Sequence, residues 1–211
     1  MQNKNLVFIS LFVVVALFIA AIYFYKGSVS NSRANIDEIL LKDYSYKKGE
    51  NKKSIVVVEF IDPQCGSCAA FHPLLKKLYK EYSDDILIVT KYLANHKNSK
   101  IAIEMLEASR EQNLYDEVLD VIFEKLPLWS QPNNEKPELL WEFLKEVTGL
   151  DIMKLKTDMK SPKISEIIKQ DKEDAAALNV TGTPTIFVNG VELESLSEKA
   201  LFDLVEKVIY K

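Results

Sequence analysis

The chain has 211 residues, of which 47% are hydrophobic, and a formal net charge of −4. This length and composition predict one globular domain of ordinary size with an additional N-terminal segment. The lack of a basic excess argues against nucleic acid as a partner.

The N-terminal segment, residues 1–26, is predicted to be a membrane anchor or a signal segment. Residues 6–25 are almost uninterruptedly apolar and are flanked by Lys4 and Lys26, so the run is long enough to cross a bilayer. An uncleaved anchor is favoured over a cleaved signal, because the run is longer than a usual signal and Ser28–Ser30 is an indifferent cleavage site. Either alternative carries the rest of the chain out of the cytoplasm, where disulfides persist.

Residues 27–53 are polar and charged, and we interpret them as a linker. Their few apolar residues predict one short helix or strand that packs against the following domain. The lysines in this segment are interpreted as a solvated surface; they are Lys47, Lys48, Lys52 and Lys53.

A strand, a helix and a second strand follow. The β-branched run that begins at Ile55 predicts a strand over 55–61 that is buried on both faces. Apolar residues at helical spacing predict a helix over 66–82, and Pro73 within it predicts a bend. Residues 86–92 form a second apolar run, and this crossover connection predicts that the two strands are parallel.

The only two cysteines, Cys65 and Cys68, lie at the junction of the first strand and the helix. Residues three apart on a helix are neighbours, within disulfide range. At this junction free backbone N–H groups and the helix dipole favour a thiolate, so Cys65 is predicted to be the nucleophile and Cys68 the more buried resolving thiol.

Two other interpretations of the cysteine pair remain open. A structural disulfide over so short a loop would stabilise the fold little. Half of a zinc site would need further ligands, and only His72, His96 and carboxylates remain, so we predict no metal and no other cofactor. His72 is the one imidazole expected near the thiols, although a packing role is favoured for it over catalysis.

Residues 97–159 have helical periodicity interrupted by prolines, and a third helix is predicted to end at Gly149. Trp129 and Trp141 could line a groove, but packing in the core is the commoner fate of such side chains.

The C-terminal part is predicted to return to the sheet. A helix precedes Gly182 and Pro184, after which 185–188 reads as a strand. Asn189 and Gly190 form a strong hairpin signal before a returning strand.

The last predicted element is a covering helix near the C-terminus. Ser195 and Glu198 are spaced as a capping box before an apolar helical face.

Together these motifs resemble the thioredoxin-fold disulfide oxidoreductases, within them the DsbA-like extracytoplasmic branch. The resemblance covers residues 52–211. It rests on four features, namely the motif Cys65-Gly66-Ser67-Cys68, Glu59 six residues before it, Pro73 eight residues after Cys65, and the strand entry Thr183-Pro184-Thr185.

This resemblance implies an α/β thioredoxin fold with an inserted helical subdomain. The core would comprise residues 54–96 and 160–211, and the insertion 97–159 would roof the active site. Glu59 would be a buried acid that relays protons to Cys68. A cis bond before Pro184 would place Thr183 against the Cys65 sulfur and leave its backbone groups free to pair with an extended substrate.

The predicted function is disulfide exchange with unfolded or cysteine-containing exported proteins, together with a membrane redox partner. Gly66 and Ser67 replace the Pro-His of DsbA, so a less oxidising couple is expected, with an oxidase slightly favoured. The alternatives are a reductase or isomerase of the same fold, and a membrane-tethered peptide-binding holdase whose disulfide is structural. Thr183 before the proline resembles the isomerases and reductases more than DsbA.

Overall fold

A computed structural model of the protein describes residues 13–15, 17–22 and 36–210. The chain divides into two compact units, Met1–Ile39 and Leu40–Lys211. In the first unit, residues 13–15 and 17–22 are helical. No helix among the described residues combines the length and the apolar character that a membrane span requires. Much of the predicted 6–25 segment, and Ser28–Ser30, lie outside the described residues.

The second unit is built on a five-stranded mixed sheet with the spatial order β1-β3-β2-β6-β7. Its strands are β1 (Tyr46–Lys48), β2 (Ile55–Ile61), β3 (Ile86–Tyr92), β6 (Thr185–Val188) and β7 (Val191–Glu192), and β4 (Ser130–Gln131) with β5 (Asn134–Glu135) forms a separate small hairpin. Strands β2 and β3 are parallel over their whole length, which confirms the predicted crossover unit. The other neighbours pair antiparallel.

The predicted hairpin at the end of β6 is present. Val188 pairs with Val191 across the turn. Asn189 and Gly190 have φ values of 45° and 77°. Because a type I′ turn needs positive φ at both central residues, this dipeptide suits the connection.

The helices surround the sheet and continue beyond it. In chain order they are α1 (Gly66–Tyr82), α2 (Ser99–Arg110), α3 (Tyr115–Glu124), α4 (Leu126–Trp129), α5 (Leu140–Phe143), α6 (Ile152–Asp158), α7 (Pro162–Ala177) and α8 (Glu198–Ile209). Helix α1 continues through Pro73. Residues 36–40 are also helical, so the segment predicted to hold one short helix or strand contains this turn as well as β1.

Two details of the predicted helices are wrong. The third helix of the insertion is only the single turn α5 between two 3₁₀ turns. The second 3₁₀ turn ends at Glu146 and not at Gly149, because Val147 is extended, with φ −75° and ψ 111°. The cap of the last helix is Ser197 and not Ser195, since the Ser197 hydroxyl accepts the N–H of Ala200. Helix α8 begins at Glu198, which puts this glutamate in the first position rather than the third that a capping box needs.

The buried side chains form two clusters. One lies between α1, α8 and one face of the sheet. The other fills the helical part of the chain and contains Cys65 and Cys68. Trp129 belongs to this second core: it is fully buried, and its indole N–H donates to the carbonyl of Ile122 at 3.0 Å. The cysteine pair therefore lies where the sheet meets the helical segment.

Candidate active site

The loop between β2 and α1 holds Cys65 at the first turn of the helix. The N–H of Cys65 donates to the carbonyl of Asp62 at 2.9 Å, and the N–H of Gln64 donates to the Asp62 side chain at 2.8 Å. These two bonds close a tight turn, after which the helix begins at Gly66. Cys65 is the N-cap residue, so it lies at the end of the helix where backbone N–H groups lack partners within the helix.

The two thiols differ in their acidity. Both cysteines are reduced, and Cys65 keeps 8% of its surface exposed against 2% for Cys68. A hydrogen bond from the Cys68 thiol is the largest cause that lowers the pKa of Cys65 to about 5; the Thr183 side chain and the N–H groups of Ser67 and Cys68 act in the same direction, and burial opposes them.

The Cys68 thiol behaves in the opposite way. Its pKa is raised far above the ordinary value, because it donates to Cys65 and because it is buried. The N–H of Asp62 lies 3.5 Å from the Cys68 sulfur and offsets part of this rise. The pair therefore carries one negative charge near neutral pH, and Cys65 holds it.

The strand entry at Thr183 lies against the nucleophile. The Cys65 sulfur is 3.3 Å from the Thr183 carbonyl oxygen, and the bond between Thr183 and Pro184 is cis. Strand β6 begins at Thr185, which pairs with Phe60 of β2. Two of the features that carried the sequence resemblance, the cysteine motif and the strand entry at Thr183, thus meet in space.

Glu59 is buried in the centre of β2. It pairs with Thr90 of β3, whose hydroxyl donates to its carboxylate at 3.3 Å. Burial raises the pKa of Glu59 to about 7, although the charge of His72 and the bond from Thr90 lower it. No direct hydrogen bond joins Glu59 to Cys68 in the described part of the chain.

His72 makes its contacts with helix α3. Its Nε2 is 2.7 Å from the Asp120 carboxylate on α3, and its ring packs against Phe123. The packing role that was favoured for His72 is therefore present.

His96 is a residue of this site that sequence reasoning missed. Its Nδ1 is 2.8 Å from the fully buried carboxylate of Asp62, which also accepts the N–H groups of Asn95 and His96. Because β2 and β3 are parallel, the residues after both strands meet at one edge of the sheet. The predicted parallel strands were therefore a signal that Asp62 and His96 lie close together.

Gln64 ties the motif loop to the helical segment. Its Oε1 accepts the N–H of Asn98 at 2.7 Å, and its Nε2 is 3.4 Å from Glu135 in the small hairpin. Asp62 and Gln64 thus hold the loop in place. Among the described residues no three potential metal ligands lie close together.

Comparison with known proteins gives the family. A sequence model of the family described as Thioredoxin matches residues 42–207, which is most of the chain. The chain belongs to the thioredoxin family. A protein of Rickettsia typhi that is provisionally named a protein-disulfide oxidoreductase is 28% identical over 166 residues, covering 76% of this chain and 60% of its own length.

Solved structures show the same fold. The oxidised BdbD of Bacillus subtilis matches with a TM-score of 0.70 and 23% identity, over 80% of this chain and 94% of that one. The alpha-DsbA1 of Wolbachia pipientis matches with a TM-score of 0.72 and 19% identity, over 82% and 94%. The fold is therefore DsbA-like. The chain spans only 60% of the length of the Rickettsia typhi relative.

Proposed function

We propose that the chain is an extracytoplasmic thiol:disulfide oxidoreductase that exchanges disulfides with exported proteins through Cys65 and Cys68. The observation that carries this proposal is the split between two adjacent thiols, one with a pKa of about 5 and the other protonated. A thiolate is the reactive species in disulfide exchange, and its partner must stay protonated until it is needed.

The forward reaction begins with the Cys65–Cys68 disulfide. A substrate thiolate attacks the Cys65 sulfur, the bond between the cysteines breaks, and Cys68 leaves and takes a proton from Glu59. A second substrate thiolate then attacks the substrate sulfur of the mixed disulfide, and Cys65 leaves as the stabilised thiolate. The substrate loses two electrons, the protein pair gains them, and a membrane redox partner reoxidises the pair.

Thr183 and Pro184 form the substrate-binding edge in this proposal. The contact between Thr183 and the Cys65 sulfur supports it, because an extended peptide that pairs with the backbone at Thr183 would bring its own sulfur to Cys65. Residues 97–159 act as the roof of the site, which the bonds of Gln64 to Asn98 and Glu135 support.

The acidity of Cys65 supports an intermediate redox couple. A pKa of about 5 lies between about 3.5 for DsbA and about 7 for thioredoxin. Stabilisation of the thiolate favours the reduced pair and so makes the disulfide a stronger oxidant. We therefore retain oxidation of substrates as the slightly favoured direction, ahead of reduction or isomerisation.

The cellular location follows from the N-terminal segment. We place the domain on the outer face of the cytoplasmic membrane or in the periplasm, anchored through residues 6–25. The apolar character of this run supports the assignment. Fractionation of cells that express the full chain tests it, since the chain should remain with membranes after a high-salt wash.

A trapping experiment tests the exchange reaction. A reduced, unfolded substrate is presented to the protein together with an oxidant. The Cys68→Ser variant should then accumulate a mixed disulfide between Cys65 and this substrate, because the resolving thiol is missing. The Cys65→Ser variant should form no adduct and should have no turnover. Equal protection of unfolded substrate by wild type and Cys65→Ser, with no exchange by either, would instead support the holdase.

A further inference from the structure

A cavity of about 220 Å³ adjoins Glu59. Strands β1, β2 and β3 and helices α1 and α3 contribute its walls. Among the described residues, neither cysteine lines it, and neither Thr183 nor Pro184 does. Exposed Lys76 and Glu117 also line the cavity, so it reaches the surface. The buried acid thus has an opening to solvent that is separate from the edge where substrate would lie.

Charged groups face Glu59 across this cavity. They are Lys48 from β1, His72 and Lys76 from α1, and Asp116, Glu117 and Asp120 from α3. Tyr46, Tyr79 and Tyr115 complete its set of titratable residues. Most of these charges are already paired, since Lys48 binds Asp116 at 2.6 Å and Lys76 binds Asp120 at 2.5 Å.

His72 supplies the imidazole in this set, a side chain whose ring nitrogens can both accept and donate a proton. Its Nε2 lies 2.7 Å from Asp120, and its side chain is 15% exposed. Hydrogen bonds from His72 and Lys76 lower the pKa of Asp120 in spite of its burial, so this carboxylate is ionised and orients the ring. The other ring nitrogen, Nδ1, has no hydrogen-bond partner among the described residues.

We propose that His72, oriented by Asp120, is the positioning residue through which the Glu59 carboxyl exchanges its proton with solvent during disulfide exchange. The inference rests on the proposed function and deepens it. When Cys68 leaves as a thiolate, Glu59 gives it a proton. His72 then returns a proton to Glu59, with water that a cavity of this size and with these charged side chains can hold. The reverse reaction runs the same transfers backward, and the protons balance in both directions.

The position of the cavity gives this route its advantage. A bound peptide that covers Cys65 and Thr183 would close the direct path from solvent to Cys68. Since none of those residues lines the cavity, the opening at Lys76 and Glu117 stays free while the mixed disulfide exists. The charge of His72 also acts on Glu59, because it lowers the pKa of this carboxyl against the effect of burial.

The test is a single-turnover measurement with the full chain. Oxidised protein is mixed with a model dithiol peptide across the neutral pH range, and the rate of Cys68 release is followed. The His72→Ala variant should be slower on the order of tenfold, less than the hundredfold or more that direct acid–base catalysts supply. Removal of the imidazole charge should also move the inflection assigned to Glu59 to higher pH.

Chemical rescue separates a proton route from a structural role. Added imidazole should restore the rate of His72→Ala but not that of Glu59→Gln. His72→Gln fills the space and can still donate to Asp120, yet it should stay slow, because an amide does not titrate. Lys77 lies on the same helix as His72 and forms a surface ion pair with Glu198 of α8. Lys77→Gln removes this pair; it is the matched control and should behave as wild type.

Three results would overturn the inference. They are wild-type rates and pH profile in His72→Ala, full activity of His72→Gln, and a slow His72→Ala that imidazole does not restore. Each of these leaves the proposed function intact if the wild-type protein exchanges disulfides. Failure of wild type itself to exchange would count against the function and would be seen before any variant is compared.

Discussion

The Cys65 sulfur and the Thr183 carbonyl oxygen lie 3.3 Å apart, although 118 residues separate them in the chain. Cys65 follows strand β2 and Thr183 precedes strand β6, and these strands are direct neighbours in the sheet. A nucleophilic sulfur thus lies beside backbone that an extended chain could pair with.

Replacement of Cys68 by Ala should raise the pKa of Cys65 well above about 5. The Cys68 thiol makes the largest contribution to the low pKa of Cys65, and alanine cannot donate that hydrogen bond. Ultraviolet absorbance of the thiolate against pH measures the effect. Ala69→Gly, one residue further along the helix, serves as the control, and an unchanged titration in Cys68→Ala would refute the assigned cause.

Replacement of Ser67 by His should make the pair more oxidising. Ser67 is exposed between the two cysteines, so an imidazolium there can approach the Cys65 thiolate without repacking the core. The pKa of Cys65 should fall below about 5, and the potential should rise by roughly 30 mV, which corresponds to about 1.4 kcal/mol. Equilibration with glutathione measures this, with Ser67→Asn as a neutral comparison; equal potentials would contradict the electrostatic explanation.

Replacement of Glu59 by Gln should stabilise the reduced protein at alkaline pH and leave it almost unchanged at acidic pH. Burial raises the pKa of Glu59 from 4.5 to about 7. The folded state therefore loses stability relative to Gln as pH rises from 4.5 through about 7, by about 3 kcal/mol when complete.

Urea denaturation at several pH values tests this dependence. The exposed Glu111 gives a matched control, because Glu111→Gln removes a carboxylate that is not buried. A constant difference between wild type and Glu59→Gln at all pH values would show that Glu59 does not titrate in this range.

The parts of the fold that the sequence predicts are those with a local signal. The β-branched run at 55–61, the motif at Cys65 and the Asn189-Gly190 turn each depend on residues that are adjacent in the chain, and each lies where it was expected. The failed prediction of Ser195 as a cap is also informative. Two serines precede α8, and only the backbone conformation decides which of them caps it.

Contacts between distant residues were not predictable in the same way. Lys91 reads as a polar residue near the end of a strand, but the fold buries it completely against Asp171 and Asp174 of α7, at 2.7 and 2.8 Å. The Tyr44 hydroxyl donates to both carboxylates. Nothing in the spacing along the chain connects these residues.

Replacement of Lys91 by Met should therefore destabilise the protein by about 3–5 kcal/mol, because it leaves two buried carboxylates without their cation. The exposed pair of Lys52 and Asp84, 2.7 Å apart, provides the comparison. Lys52→Met should change the free energy of unfolding far less than Lys91→Met, since surface ion pairs contribute little. Chemical denaturation measures both variants, and similar losses would mean that burial does not govern the Lys91 cluster.

The reduction potential of the Cys65–Cys68 pair tests the central claim most directly. Equilibration of the full chain with glutathione buffers, followed by alkylation of the free thiols, gives the value. The acidity of Cys65 predicts a potential between about −120 mV and about −270 mV, the values of DsbA and thioredoxin. A potential below about −300 mV, where structural disulfides lie, would contradict a role in disulfide exchange.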